Sequence, residues 1–273
     1  MRVVFGNWKY LFKNLWYVLP CGIVPAVFLA LCFDYTATAE YVRSFFAGNP
    51  RADFVQLFRV WSLVRIDSVL GGIYAVFAFF CVGFFAAFLV SLVEKHVRIG
   101  KRTLNGAGKQ LGSVVFSVFC IVLLYTMVAE LWALVISAVT FAISSLASDV
   151  LVYLLALAAF AVIAFLFLYL VEVFFLWLPC MQATGFRPYD AFLYSYRLSM
   201  KVRWRLVLAH AMSLLAFVVL VGGSAFLPEI VSRIVAFGVY LFLFTGFFVR
   251  METVYYEADK LDREDLIKSY REL

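Results

Sequence analysis

Charge-free apolar runs, each closed by a charged residue, divide this chain into pieces the length of a membrane crossing. A helix rises 1.5 Å per residue, so about 20 residues cover the ~30 Å hydrocarbon core. Asn14 to Phe33 runs without a formal charge from Lys13 to Asp34, Ser68 to Val93 from Asp67 to Glu94, and Leu206 to Pro228 from Arg205 to Glu229. Ile234 to Val249 is shorter, but Arg233 can snorkel to the interface and let that helix begin near Ile230. Between Gln110 and Phe186 the apolar pattern is broken by Glu130, Asp149 and Glu172, and length alone permits two spans or three.

Charge resolves that division. EKHVRIGKRTLNGAGK carries Lys95, Arg98, Lys101, Arg102 and Lys109, and FRPYDAFLYSYRLSMKVRWR carries Arg187, Arg197, Lys201, Arg203 and Arg205. Loops rich in Lys and Arg stay on the cytoplasmic side, so an even number of crossings separates the two. The expectation is an all-α, polytopic transmembrane bundle of about six spans, at 14–33, 68–93, 113–140, 150–180, 206–228 and 230–249. They form three helical hairpins in one membrane domain covering 1–273, with an external loop at 34–67 and a cytoplasmic tail at 250–273. Eighteen Lys and Arg then lie inside, against Arg43, Arg51, Arg59, Arg65 and Arg233 outside, which predicts a multi-pass plasma-membrane protein with both termini cytoplasmic. A continuous helix from Ser113 to Ser148 would reach about 54 Å, so it must tilt, bend or protrude. Ser144, Ser145, Ser148 and Asp149 mark its external turn.

Composition agrees: 66% of residues are hydrophobic and mean hydropathy is +0.98, against about 45–50% apolar in soluble domains. The excess of 23 Lys and Arg over 17 Asp and Glu needs no nucleic-acid partner, because positively charged loops retain membrane segments on one side. Nor does the start read as a cleaved signal: Ala37-Thr38-Ala39 has the small-x-small form, but the preceding apolar run exceeds the 7–15 residues of a signal core.

Each outward-going span follows a segment mixing aromatic and basic residues: FGNWKYLFKNLW, IGKRTLNGAGKQLG and YDAFLYSYRLSMKVRW. The third reads as an amphipathic surface helix capped by Asp190. Lys101, Arg102, Arg197, Lys201, Arg203 and Arg205 are candidate contacts for anionic lipids, or alternatively plain orientation anchors. In the 34–67 loop, Phe54, Leu57, Phe58, Trp61 and Val64 fall at helical spacing after an Asn49-Pro50 turn, which predicts an interfacial helix. The tail has seven acidic and five basic residues from Arg250 onward and suits a solvated face or a contact with a membrane-protein partner.

Ionisable groups inside a bilayer are costly, and three candidates stand out. Counting along the helices puts Glu130 towards the outer face, whereas Glu172 and His210 fall in the inner half of spans four and five, where they can share a proton or simply hold the helices together. Cys21, Cys32, Cys81, Cys120 and Cys180 are dispersed and form no disulfide framework. His96 and His210 have no metal-site spacing, and no P-loop, dinucleotide turn or G-x-S-x-G elbow occurs. No catalytic residue, metal or cofactor is therefore expected, and the chain does not read as an enzyme. Gly71 with Ala75, and Gly83 with Ala87, are spaced to let helices approach closely.

The three-hairpin layout, Phe12-Lys13-Asn14-Leu15-Trp16 before span one, Tyr194-Ser195-Tyr196-Arg197-Leu198 before span five and Tyr255-Tyr256 after span six resemble bacterial six-helix integral membrane proteins. The layout is similar to the membrane domain fused to some glycerophosphodiester phosphodiesterases. With no phosphodiesterase segment in this sequence, the resemblance implies a bacterial plasma-membrane setting and no site. Two functions stay open: a non-enzymatic accessory or scaffold component of an envelope or transport assembly, and a small-solute or lipid transporter built around Glu172 and His210.

Overall fold

In the computed structural model, which describes residues 2–65, 68–102, 107–146 and 149–271, the chain is helical throughout and no strand occurs among those residues. Helix α1 (Arg2–Lys13) stops at Asn14, whose φ of −115° and ψ of 22° leave the helical region. A four-residue turn, α2 (Leu15–Val18), leads into α3 (Pro20–Cys32). Pro20 stands in the first turn of α3, where its missing N–H costs nothing. At Phe33 the backbone extends, and the Asp34 carboxylate accepts from the Ala37 N–H at 3.1 Å to start α4 (Tyr35–Phe46) at 61° to α3. Residues 34–67 are therefore not a loop with one helix: α4 precedes the expected interfacial helix, α5 (Phe54–Trp61), and Val64 lies beyond the latter's end.

Next come α6 (Val69–Ile99), closed by Gly100 at φ 74°, and α7 (Ala107–Leu146). At 40 residues, α7 is about 60 Å long and outreaches a bilayer, as its apolar length demands. Helix α8 (Asp149–Phe175) follows, with only a break at Leu176 before α9 (Trp177–Thr184). Ser148, placed in the turn between α7 and α8, lies outside the described residues, as do residues 103–106 of the segment before α7. Arg187, rather than Asp190, flanks the start of α10 (Pro188–Ser224), and Asp190 instead places negative charge in its first turn. The last helix, α11 (Glu229–Arg271), runs unbroken from the final span into the tail.

Five stretches, Val69–Ile99, Leu111–Ser145, Val150–Thr184, Pro188–Ser224 and Glu229–Lys260, are long and apolar enough to cross a membrane, and the bent α3–α4 pair would supply a sixth. Contacts sort the bundle into two ends. At one, Arg102 donates to the Lys13 carbonyl at 3.2 Å, the Tyr10 hydroxyl and His96 Nδ1 share a hydrogen bond of 2.6 Å, and Tyr194 donates to Asp259 at 2.9 Å. The segments expected to share one side thus meet at this basic end. At the opposite end Tyr35 donates to the Leu227 carbonyl (3.0 Å), Arg43 to Ala225 (2.9 Å) and Tyr153 to Phe45 (2.8 Å). Each end has a core. The larger gathers Leu11, Val93, Phe175, Leu198, Met251 and Tyr255, and the smaller is built on Ala26, Phe33, Val221 and Tyr240.

Close approach of α6 and α7 depends on Gly83, where a Cβ would stand 2.4 Å from a Phe119 ring carbon; Ala87, one turn on, is fully buried. The other pair behaves differently, because Gly71 faces Arg65 in the preceding loop rather than a neighbouring helix. Gly83→Val is therefore expected to lower stability by about 1–3 kcal/mol through overpacking, whereas Gly112→Ala, with open space around it, should be neutral. Thermal melts of the purified proteins in one detergent check both.

Candidate functional site

Helices α8 and α10 bring Glu172 and His210 together, 38 residues apart in sequence, and His210 Nδ1 shares a hydrogen bond with Glu172 Oε1. The bilayer interior cannot hydrate a carboxylate, so such a group survives there only by finding protein partners. Glu172 is fully buried and His210 is 6% exposed. Two further helices contribute. Arg250 of α11, 4% exposed, lies within electrostatic reach of Glu172 and donates to Ser213 Oγ at 3.4 Å. Tyr125 of α7 brings its hydroxyl into the same field.

Aromatic rings wall this polar centre. Phe175 packs edge-on to the His210 ring at 4.7 Å, Phe247 lies 5.5 Å from the same ring, and Tyr125 meets Phe247 at 5.4 Å. Inside the wall, Glu172 Oε2, His210 Nε2, Tyr125 Oη and Arg250 Nε have no hydrogen-bond partner among the described residues. The arrangement can hold a proton between carboxylate and imidazole and balance it against a guanidinium. It contains no hydroxyl or thiol nucleophile activated by a base.

Glu130 has another role. Its carboxylate accepts from Ser62 Oγ (2.8 Å) and from the backbone N–H groups of Leu63 (2.8 Å) and Val64 (3.1 Å), so it ties the end of α5 to α7. Trp61 strengthens that tie, packing 5.5 Å from Trp132 and 5.3 Å from Phe160. Nearby, Arg59 pairs with Asp34 at 2.7 Å, locking α5 onto the α3–α4 bend.

Of the six basic candidates for lipid contact, three have side-chain partners within the protein. Arg197 and Lys201 reach Asp262 at 3.3 and 2.9 Å. Arg203 is turned inward, 5% exposed, donating to the Tyr169 hydroxyl at 2.7 Å and lying over the Tyr169 and Tyr196 rings. Only Arg203 is withdrawn from the surface; Arg197, its side chain 60% exposed, and Lys201 pair with Asp262 while still facing solvent. Lys101, Arg102 and Arg205 remain exposed.

A second polar region at the basic end was not singled out from the sequence. Met251, Val254, Tyr255 and Ala258 are buried, so the first turns beyond span six are packed core and not a solvated face. Their 3–4 spacing was the available signal. This packing buries Asp259 and Asp262, and it leaves Glu252 fully enclosed with neither carboxylate oxygen hydrogen-bonded. Glu94, beside it on α6, pairs with Arg98 at 3.1 Å and accepts from the Tyr256 hydroxyl at 3.3 Å.

Two clefts open at this end. The smaller, about 150 Å³, is lined by Glu94, Arg98, Gln182, Thr184, Tyr256 and Asp259. The larger, about 550 Å³, is lined by Lys9, Tyr10, Lys13, Asn14, His96, Gly100 and Arg102. Neither is lined by Glu172 or His210. Burial pushes the Tyr10 phenol well above its ordinary value, so its hydroxyl keeps its proton beside His96. All five cysteines are free thiols, and among the described residues no group of three His, Cys, Asp or Glu is placed to hold a metal ion.

Comparison with protein-family models, with curated proteins and with solved structures finds no match for this chain.

Removing one partner of a buried pair strands the other, at a cost of about 3–5 kcal/mol. His210→Ala is expected to destabilise by that order, and Glu172→Gln with His210→Gln together by less than the sum of the two single changes. Unfolding of the four proteins in a double-mutant cycle measures this coupling, and simple additivity would mean the two side chains act independently.

Proposed function

We propose that this chain is a non-enzymatic accessory or scaffold component of a membrane assembly, lying in a plasma membrane with both termini in the cytoplasm. The observation that carries the scaffold reading is the uneven burial of its long helices. In the apolar parts of α6 and α11 half the residues are buried and in α10 28% are, whereas in α7 only 22% are, and in the stretch from α8 through α9 only 17%. Helices α7 and α8 thus form a hairpin on the flank of the bundle. On α8, Leu154, Ala158, Ala161 and Phe165 lie exposed on one face, and small residues there let a partner helix approach closely.

Transport through the bundle is the competing function, and it needs a path to Glu172. Complete burial of that carboxylate and its aromatic wall favour a structural centre. Orientation rests on charge. Lys9, Lys13, Lys95, Arg98, Lys101, Arg102, Arg187 and Arg205 belong to the end where α1, α10 and the tail meet, and such an end is held in the cytoplasm.

Native mass spectrometry of the full chain in polymer nanodiscs tests the scaffold reading. A stoichiometric membrane-protein partner is expected above the 31.0 kDa of the chain, and Ala158→Phe with Ala161→Phe should release it without lowering the melting temperature. Recovery of the bare chain alone would refute the reading. Reporter fusions after Thr103 and after Leu273 should both be active only in the cytoplasm; an externally active reporter at either position would reverse the orientation.

A further inference from the structure

The larger cleft at the basic end gathers three cations in one concavity. Its wall carries Lys9 and Lys13 from α1 and Arg102 from the segment after α6, with His96 behind them and, among the described residues, no acidic residue in the lining. Among the described residues none of the three full cations is ion-paired: the only protein bond recorded for the Arg102 guanidinium is to the Lys13 carbonyl, at 3.2 Å. Glu252, within electrostatic reach of Tyr10, is fully buried.

The surroundings set the height of this cleft in the membrane. Phe12 is 62% exposed and Trp16 90% exposed, immediately beside Lys9, Lys13 and Asn14. Exposed aromatic rings flanking lysines at the mouth of a span sit at headgroup level, with the rings against acyl chains and the ammonium groups in water. Several unpaired cations gathered in one concavity at that level match a phosphate that carries an apolar body. Lysine and arginine donate to phosphate oxygens as charge-assisted hydrogen bonds, and an arginine can do so through two N–H groups.

We propose that this cleft is a binding site for the phosphate of an anionic phospholipid, held by Lys9, Lys13 and Arg102 with the lipid tails lying along Phe12 and Trp16. The site differs from the one expected on α10, where Arg197, Lys201 and Arg203 are taken up by Asp262 and Tyr169. It deepens the cytoplasmic placement of this end proposed above, since that leaflet presents anionic headgroups.

Native mass spectrometry of the full-length chain in detergent, titrated with dioleoyl-phosphatidylglycerol, dioleoyl-phosphatidylcholine or inorganic phosphate, tests the site. Each cation near a membrane surface contributes about fivefold in affinity, so three together give about a hundredfold. Phosphatidylglycerol should bind far more tightly than phosphatidylcholine. Lys9→Gln with Lys13→Gln and Arg102→Gln should remove that preference, while Lys9→Arg with Lys13→Arg keeps it and shows that the fold tolerates change there. Lys101→Gln with Arg187→Gln and Arg205→Gln removes the same charge outside the cleft and should leave the preference intact. Equal loss in the two neutralised proteins would mean diffuse attraction and overturn the proposal, as would equal binding of the two lipids. Inorganic phosphate bound as tightly as the lipid, through the same three residues, would overturn a lipid as the source of the anion. Because micelles have no sidedness, an error in orientation cannot produce any of these failures.

Discussion

Hydrocarbon offers a buried carboxylate nothing, so Glu172 can be carried into this bundle only where the protein supplies what water would have supplied. His210 does so directly, and Arg250 and Tyr125 complete the surroundings. The consequence is architectural. Residues of four helices, α7, α8, α10 and α11, must converge at one level and in one rotation for this group to be tolerated. Most of the apolar surface around it is indifferent to rotation, since Leu against Leu is much the same as Leu against lipid. A polar centre is not indifferent, and it gives a bundle of greasy helices a register. Phe175, Phe247 and Tyr125 then close around it and keep the local dielectric low, which strengthens the pairing they enclose.

The same scarcity of solvation governs both ends. At the end opposite the basic one, α4 and α5 fold back over the bundle instead of running free, pinned by Asp34 to Arg59 and by Glu130 to the chain after α5. At the basic end, the buried stripe from Met251 to Ala258 carries the last helix past the span and across α1, α6 and α10. Arg197 and Lys201 are drawn there to Asp262, whereas the cations of the α1 cleft have no ion pair among the described residues.

Much of this was legible in the chain. Length marked the long apolar stretches of α6, α10 and α11, though not the break at Asn14 and the 61° bend that leave α3 only 13 residues long, and the parity of two basic loops gave α7 and α8 as a pair rather than a triplet. Counting along the fourth and fifth spans put Glu172 and His210 in the inner half, and the structure joins them. Other features escaped because they depend on contacts distant in sequence. The turn into α4 needs Asp34 to cap one helix while it binds Arg59, and nothing local distinguishes that aspartate from one ending a span. Likewise Arg203 reads as a surface cation in a basic run; only Tyr169, 34 residues earlier, shows why it faces inward. The tail misled for another reason: its high charge density masked a regular apolar stripe, which the 3–4 spacing of Met251, Val254, Tyr255 and Ala258 does display.

Whether the polar centre is sealed distinguishes a structural lock from a conducting path. Ser213, which accepts from Arg250 and itself donates to the Ala209 carbonyl at 2.9 Å, is a small side chain at its edge. In a chain whose five cysteines are replaced by alanine, Ser213→Cys can be challenged with a membrane-impermeant thiosulfonate from each side of sealed vesicles. Arg205→Cys, exposed at the basic end, serves as the reactive reference. A sealed centre predicts that the cysteine at position 213 stays unmodified from both sides while position 205 reacts. Modification at 213 from either side would reveal a water path to Glu172 and contradict the account.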